Sequence, residues 1–245
     1  MLNYYLASVS FGKDSAAMLL RLLEERWPLD EVVFYDTGME FSAIYRVRDF
    51  FLPFLRERGI RYTELKPKTP FLYDMIERPI KKRDGRVQYG KGWCGGVCRW
   101  GTSEKLQAIN RHIRSVDRPV IQYIGIAVDE PVRLERLPKN KLAPLAEWDM
   151  TEEDCLNYCR LHGIAWREGD IDLYDILQRV SCWCCRNKNL KELRAIWKCL
   201  PDYWLRLLRL QDSIGEPMKK NYGCTPDGVC PGDLRNLERR FRDGL

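Results

Sequence analysis

The chain has 245 residues, of which 45% are hydrophobic and 31% charged, and 41 Lys and Arg against 35 Asp and Glu give a formal charge of +6. These values fit a folded protein with a sizeable core, and no apolar run approaches the roughly 18 residues of a membrane helix. The modest basic excess is compatible with anionic substrates, nucleic acid among them.

In chain order, Tyr4–Ser10 is β-prone, and Ala16–Arg26 carries Met18, Leu19, Leu22 and Leu23 at helical spacing. Glu31–Tyr35 (EVVFY) is a short, nearly continuous apolar run, as expected of a strand buried on both faces of a parallel sheet. Phe41–Arg58 reads as a helix closed by Gly59, and Ile60–Leu65 as a third strand. Asp84-Gly85, within Arg83–Arg86, supplies the positive φ of a hairpin tip. Thr102–Arg114 is helical and Pro119–Ala127 is another buried strand.

After Pro144 the character changes. Thr151 caps a helix whose first turn, Glu152–Asp154, is acidic, and this helix ends at Gly163. Leu190–Cys199 and Asp202–Asp212 form a helical pair broken at Pro201, and Glu216–Gly232 is loop-like. The alternation predicts an α/β nucleotide-binding domain over residues 1–150 and a smaller helical, Cys-rich region over 151–245. The N-terminal segment has no basic stretch followed by an apolar run and cleavage site, so a cytoplasmic location is expected.

The first strand turns into the first helix through Ser8-Val-Ser10-Phe-Gly12-Lys13-Asp14-Ser15. A helix N-terminus offers unpaired N–H groups to an anion, Gly12 permits close approach, Ser10 and Ser15 add hydroxyls and Lys13 adds a cation. This is the make-up of a phosphate or sulfate cradle. An ordinary capped helix with a polar entry has the same appearance.

SFGKDS is similar to the SGGxDS loop of PP-loop ATP pyrophosphatases and to the corresponding loop of phosphoadenosine phosphosulfate (PAPS) reductases. Four further segments follow in that family's order. Asp36-Thr37-Gly38 with Glu40, Phe41 and Tyr45 resembles its DTG…FPETY, and Gly125-Ile126 with Asp129, Glu130 and Arg133 resembles its GIR..ES..R. Pro144-Leu145…Trp148…Thr151–Asp154 resembles PL.DWT..DV, and Cys182-x2-Cys185 resembles GCxxC. The resemblance implies a doubly wound parallel sheet of the PP-loop, HUP-like type, with an adenine nucleotide at the C-terminal strand ends.

By that resemblance Ser10, Gly12, Lys13, Asp14 and Ser15 would wrap the phosphates, Asp36 and Thr37 would lie near the adenosine or second phosphate edge, and Asp129, Glu130 and Arg133 would border the far side. Lys13, Asp14 and Arg133 are the expected catalytic residues. The Lys-Asp-Ser ending favours ATP cleaved between its α- and β-phosphates over a sulfonucleotide, with Mg²⁺ reached through Asp14 or Asp36. Phe11 departs from the family by standing where it has glycine.

Ten cysteines with only two histidines direct any metal site to thiolates. Cys94 and Cys98, with Cys182 and Cys185, are two pairs able to supply four ligands to tetrahedral Zn²⁺ or to a [4Fe–4S] cluster. These positions resemble the cluster-binding cysteines of assimilatory adenylylsulfate reductases, which carry an adjacent Cys-Cys where this chain has three intervening residues. Cys184 could substitute for a neighbour. Cys155, Cys159 and Cys199 read as core; Cys224 and Cys230 lie in a loop that lacks the reductases' ECG(I/L)H context, which argues against a catalytic thiol and leaves a second metal pair or alternative cluster ligands open.

Lys81, Lys82, Arg83, Arg86 and Lys91 form a basic stretch, either a solvated loop or a contact to a nucleotide or nucleic-acid acceptor. His112 is expected to be exposed on its helix. Three activities are compatible with these residues: ATP-dependent adenylation in sulfur transfer, thiol-dependent reduction of adenylylsulfate or PAPS to sulfite, and nucleotide binding without turnover in a zinc-stabilised module. Oligomeric state is not encoded in any motif.

Overall fold

The computed structural model describes residues 2–94, 97–219, 222–226 and 228–244. In chain order the elements are β1 (Tyr4–Val9), α1 (Lys13–Glu24), β2 (Glu31–Tyr35), α2 (Ser42–Glu57), β3 (Arg61–Leu65), α3 (Phe71–Ile76), β4 (Pro79–Lys81) and β5 (Val87–Tyr89). A π-helical turn (Arg99–Glu104) leads into α4 (Lys105–Arg114), followed by β6 (Val120–Ile124), α5 (Pro131–Leu134), β7 (Lys141–Leu142), α6 (Pro144–Glu147) and α7 (Glu152–Leu161). The short β8 (Arg167–Glu168), β9 (Ile171–Asp172) and α8 (Leu173–Ile176) precede α9 (Leu190–Cys199), α10 (Pro201–Ile214) and α11 (Leu234–Arg242). Of the expected loop at 216–232, Lys220, Asn221 and Asp227 lie outside the described residues, as do Gly95 and Gly96 between the first two cysteines.

The chain forms two interleaved compact units. The first comprises residues 1–36, 40–66 and 104–168, and the second residues 37–39, 67–103 and 169–245.

The first unit is built on a five-stranded sheet of order β3-β2-β1-β6-β7, every neighbouring pair parallel. Strand β2 is buried along its whole length, as its unbroken apolar run requires. One sheet face, with Tyr4, Leu6 and Val33, packs on Ile109 of α4, with Ile113 and Val116 at its margin. The opposite face carries Tyr5 stacked on Tyr123 at 5.9 Å and Phe34 in edge contact with Phe11 at 5.1 Å. There α1 packs on α6 and α7, and Trp27 reaches Trp148 at 5.1 Å. Helices therefore cover both faces, and the sheet is doubly wound. The chain leaves β1 toward β2 on one side and later adds β6 on the other, so the topological switch point lies between β1 and β6.

At the N-terminal edge of the sheet, Glu31 is fully buried and receives the Tyr4 hydroxyl at 3.2 Å and His112 Nε2 at 3.0 Å. His112 is thus not exposed as expected, because Glu31 needs a partner there. A carboxylate buried without donors would be costly.

In the second unit, α9, α10 and α11 pack together around Leu193, Ile196, Trp204, Leu207, Leu237 and Phe241. Gln211 closes this core by accepting from the backbone N–H groups of Met218 and Leu234 and donating to Asp233. The β4–β5 hairpin turns at Gly85, whose φ of +83° satisfies the Asp-Gly expectation. It returns against α3 at Gly90, where a Cβ would meet the Met75 carbonyl oxygen at 2.1 Å. Among the described residues, no helix is long and apolar enough to cross a membrane.

Candidate functional site

In the first unit, the turn from β1 to α1 sits at the switch point. Its most unusual residue is Phe11, which is fully buried yet adopts the left-handed φ of +56°. That conformation costs an ordinary L-residue about 1–2 kcal/mol. The cost is offset by packing against Phe34 and Phe51, and the Phe11 carbonyl accepts the Trp166 indole N–H at 2.7 Å.

Past Phe11 the loop is held by its own hydroxyls. Ser15 Oγ accepts from the Ser10 backbone N–H at 3.1 Å, lies 3.1 Å from Ser10 Oγ, and donates to the Gly12 carbonyl. Gly12 is the N-cap of α1 and supplies no side-chain cap, so the first-turn N–H groups are not closed off by a side chain of their own. The first turn also abuts the end of β6. A Cβ on Gly125 would stand 3.0 Å from both Ser15 Cα and Ser15 N, so glycine there is a steric requirement.

Lys13 is 7% exposed. Its Nζ lies 2.7 Å from Asp14 Oδ1 and 2.6 Å from Glu152 Oε2. Burial alone would lower the Lys13 ammonium, but hydrogen bonds to the two carboxylates outweigh it and hold its pKa above the ordinary value. Burial raises Asp14, a shift that Lys13 opposes and the charges of Glu152 and Glu130 reinforce. The Glu130 carboxylate is held by Arg133 Nη1 at 2.5 and 2.6 Å. Asp129 accepts from the Glu152 backbone N–H at 3.1 Å and so caps α7, beside the capping box of Thr151 and Asp154.

Asp36 follows β2 on the other side of β1 and accepts the Tyr45 hydroxyl at 2.7 Å. Burial first, and then this carboxylate, push the Tyr45 phenol far up. The structure therefore gathers Ser10, Gly12, Lys13, Asp14 and Ser15 into one loop, with Glu130 in electrostatic reach. Glu152 is a member the sequence reading missed. It was visible as the first helical residue after Thr151, but it read as a favourable charge on a helix dipole. Its ion pair with Lys13, across 139 positions, has no local signal.

The remaining candidates lie in the second unit. Thr37 Oγ1 is 3.4 Å from Cys182 Sγ, and the Trp183 N–H donates to the Met39 carbonyl. Cys94 and Cys98 are hydrogen-bonded to each other, which holds the Cys94 thiol down and pushes Cys98 up. Both sulfurs accept backbone N–H groups, Cys94 from Arg99 and Cys98 from Gly101, each at 3.2 Å. Cys185 bears on Cys94 electrostatically. The donors suit a soft metal: four half-buried thiols, two already supported by N–H···S bonds. Among the described residues, however, no group of three or more Cys, His, Asp or Glu side chains is close enough together to hold a metal ion.

Cys155 and Cys159 are fully buried as core, and Cys184 is 3% exposed. Cys224 and Cys230, whose roles the sequence left open, are joined to each other in a disulfide. Thr225 closes the intervening turn, donating its N–H to the Val229 carbonyl at 2.8 Å and accepting from the Val229 N–H at 3.1 Å, which brings the two cysteines together.

The chain is 23% identical over 206 residues to an uncharacterized protein of Methanocaldococcus jannaschii, an alignment covering 81% of this chain and 39% of that protein. The chain thus spans well under half the length of this curated relative. Among solved structures it is similar to the U34-tRNA thiolase NcsA from Methanococcus maripaludis with its [4Fe–4S] cluster, at 15% identity and a TM-score of 0.45, over 99% of this chain and 74% of that one. The model of the phosphoadenosine phosphosulfate reductase domain matches residues 4–185, a span from β1 through Cys185 that takes in the β1–α1 turn. This chain belongs to the phosphoadenosine phosphosulfate reductase domain family.

Proposed function

We propose that this protein binds ATP at the β1–α1 turn and adenylates an acceptor with release of pyrophosphate. The observation that carries this reading is Lys13, buried between Asp14 and Glu152 at the start of a helix whose first N–H groups lack a side-chain cap. A buried cation at the positive end of a helix dipole is an electrostatic trap for phosphate oxygens. In this reading Ser10, Gly12 and Ser15 position the phosphates, Lys13 moves from its carboxylates onto them, and Arg133, Glu130 and Asp129 border the site. Asp36 and Thr37 mark the adenosine edge. A nucleophilic oxygen of the acceptor bonds to the α-phosphorus as the bond to the β-phosphate oxygen breaks, and pyrophosphate leaves. Asp14 or Asp36 would hold Mg²⁺, which supplies charge neutralisation on the triphosphate.

Cys94, Cys98, Cys182 and Cys185 would hold a [4Fe–4S] cluster, which supplies a site for sulfur or an electron; bound to Zn²⁺ instead, they would stabilise the fold. Residues 1–150 would carry the nucleotide and 151–245 the larger share of the cysteines, in a protein of the cytoplasm.

The test is product analysis with labelled ATP. AMP and pyrophosphate are expected, whereas ADP and phosphate would reject the proposal. Anaerobic purification with a visible spectrum and metal analysis separates iron–sulfur from zinc. A second reading, reduction of adenylylsulfate or PAPS, is favoured by the Cys224–Cys230 couple near the C-terminus. In its dithiol form this couple would deliver two electrons: one thiol takes the sulfonate sulfur as the nucleotide leaves as AMP (adenosine 3′,5′-bisphosphate from PAPS), and the second thiol releases sulfite and closes the disulfide. Sulfite production from adenylylsulfate with a thiol reductant would select it.

A further inference from the structure

The second unit contains a cleft of about 750 Å³ between the β4–β5 hairpin and the segment from Trp93 to Trp100. Five cationic side chains line it: Arg78, Lys81, Lys82, Lys91 and Arg99. Two of them are anchored from behind. Asp74, 1% exposed, accepts from Arg78 at 2.9 Å, from Lys91, and from the Trp100 indole N–H at 3.0 Å. Burial alone would raise the Asp74 carboxyl, but these donors outweigh it and keep it ionised below its usual range. One carboxylate therefore fixes two of the cations and balances one charge. Among the described residues, no ion pair neutralises Lys81, Lys82 or Arg99.

The hairpin side of this cleft is rigidly based. Gly90 is pressed against the Met75 carbonyl, and its N–H donates to the Arg78 carbonyl at 2.9 Å. The opposite wall is backed by Trp93 and Trp100, which are buried at 6% and 2% exposure, with Trp93 fixed by its indole N–H on the Glu216 carbonyl at 2.8 Å. Val97, which also lines it, is 78% exposed. Cys94 also lines the cleft.

We infer that this cleft seats a single-stranded polynucleotide, its phosphates against Lys81, Lys82 and Arg99. The positive surplus exceeds what one phosphate group can neutralise, which points to a chain of phosphates. A concave site of this volume receives a ligand of nucleotide size, not the rigid cylinder of a duplex. A positively charged groove that tracks the backbone is the sequence-independent part of single-strand binding. The inference rests on the adenylation reading only in calling this strand the acceptor.

The test is fluorescence anisotropy with a labelled oligonucleotide of about 12 residues, as RNA and as DNA, titrated with the full chain across a salt series without ATP. Single strands should bind, with affinity falling steeply with salt. In the Lys81→Glu, Lys82→Glu double variant, affinity should fall at least about tenfold and the log–log salt slope should shrink by about 1.4, because each lost phosphate contact on a single strand removes about 0.7. Both side chains are exposed on a short hairpin, and an unchanged melting curve serves as the folding control. As a second variant, Arg99→Gln should weaken binding without reversing charge. Equal binding by the variants, tighter binding of a duplex, or displacement by inorganic tripolyphosphate at matched phosphate concentration would overturn the inference. Calorimetry with ATP is run in parallel on the same samples. Oligonucleotide binding without ATP binding would leave this cleft standing and remove the adenylation reading, and the converse would do the opposite.

Discussion

Replacing Lys13 with methionine removes the cation that pairs with Asp14 and Glu152 while keeping most of the side chain's length. The two carboxylates, with side-chain exposures of 28% and 33%, lose that shared charge. Deleting one partner of a fully buried ion pair costs about 3–5 kcal/mol. Partial exposure lets water screen the remaining charges, which reduces the expected loss to about 2–3 kcal/mol. For a chain of this size that lowers the melting temperature by about 5–10 °C. The loss should depend on pH. Asp14 already has a raised carboxyl, chiefly through burial, so the folded state takes up a proton there more readily than the unfolded chain does. Folding is therefore favoured as pH falls toward the ordinary carboxylate range, and removing the ammonium raises Asp14 further. Melting followed by circular dichroism should show a larger Lys13→Met penalty near pH 8 than near about pH 5. The wild-type Lys13 contribution, with its raised ammonium, should persist until strongly alkaline pH, where that group loses its proton. A penalty that is absent, or that grows on acidification, would refute the electrostatic account. Adding Asp14→Asn to the variant should recover part of the loss.

Gly125→Ala forces a methyl to within 3.0 Å of the Ser15 backbone, so the first turn of α1 must shift. A stability loss of about 1–3 kcal/mol should accompany at least a tenfold loss of ATP affinity by calorimetry, and unchanged affinity would show that the turn is not the binding element. Phe11→Gly relieves the left-handed backbone but forfeits a buried ring. Set against about 3–5 kcal/mol for losing a buried Phe, the net destabilisation should be about 2–4 kcal/mol in urea melts, and a stabilised variant would contradict the anchor role. Thr151→Ala removes one half of the capping box on α7 and should cost about 1 kcal/mol in the same melts.

The buried strands and main helices were legible because their signals are local. EVVFY could be little else than a buried strand, and Leu190–Cys199 carries its own Asn189–Glu192 capping box. The β1–α1 turn was legible for a related reason: the strand–helix junction from Ser10 to Ser15 is marked within six residues. What escaped was long-range. Glu152 meets Lys13, and Trp166 meets Phe11, only through the packing of α7 and its following segment beside α1. His112 was misread because its partner, Glu31, lies 81 positions away on a strand that reads as apolar. Helix α11 was overlooked because Leu234, Leu237 and Phe241 are scattered among arginines, although they form a buried stripe on one face. The Cys224–Cys230 bond depends on how Thr225 folds its own turn, which composition alone does not specify.

The bond from Trp166 to the Phe11 carbonyl has a directional effect. A peptide unit is planar, and its oxygen and its N–H point to opposite sides. With the oxygen pinned to the indole, the amide hydrogen of Gly12 faces away from Trp166, and turning the plane would cost that bond. The polarity of this junction is therefore fixed from a residue 155 positions downstream.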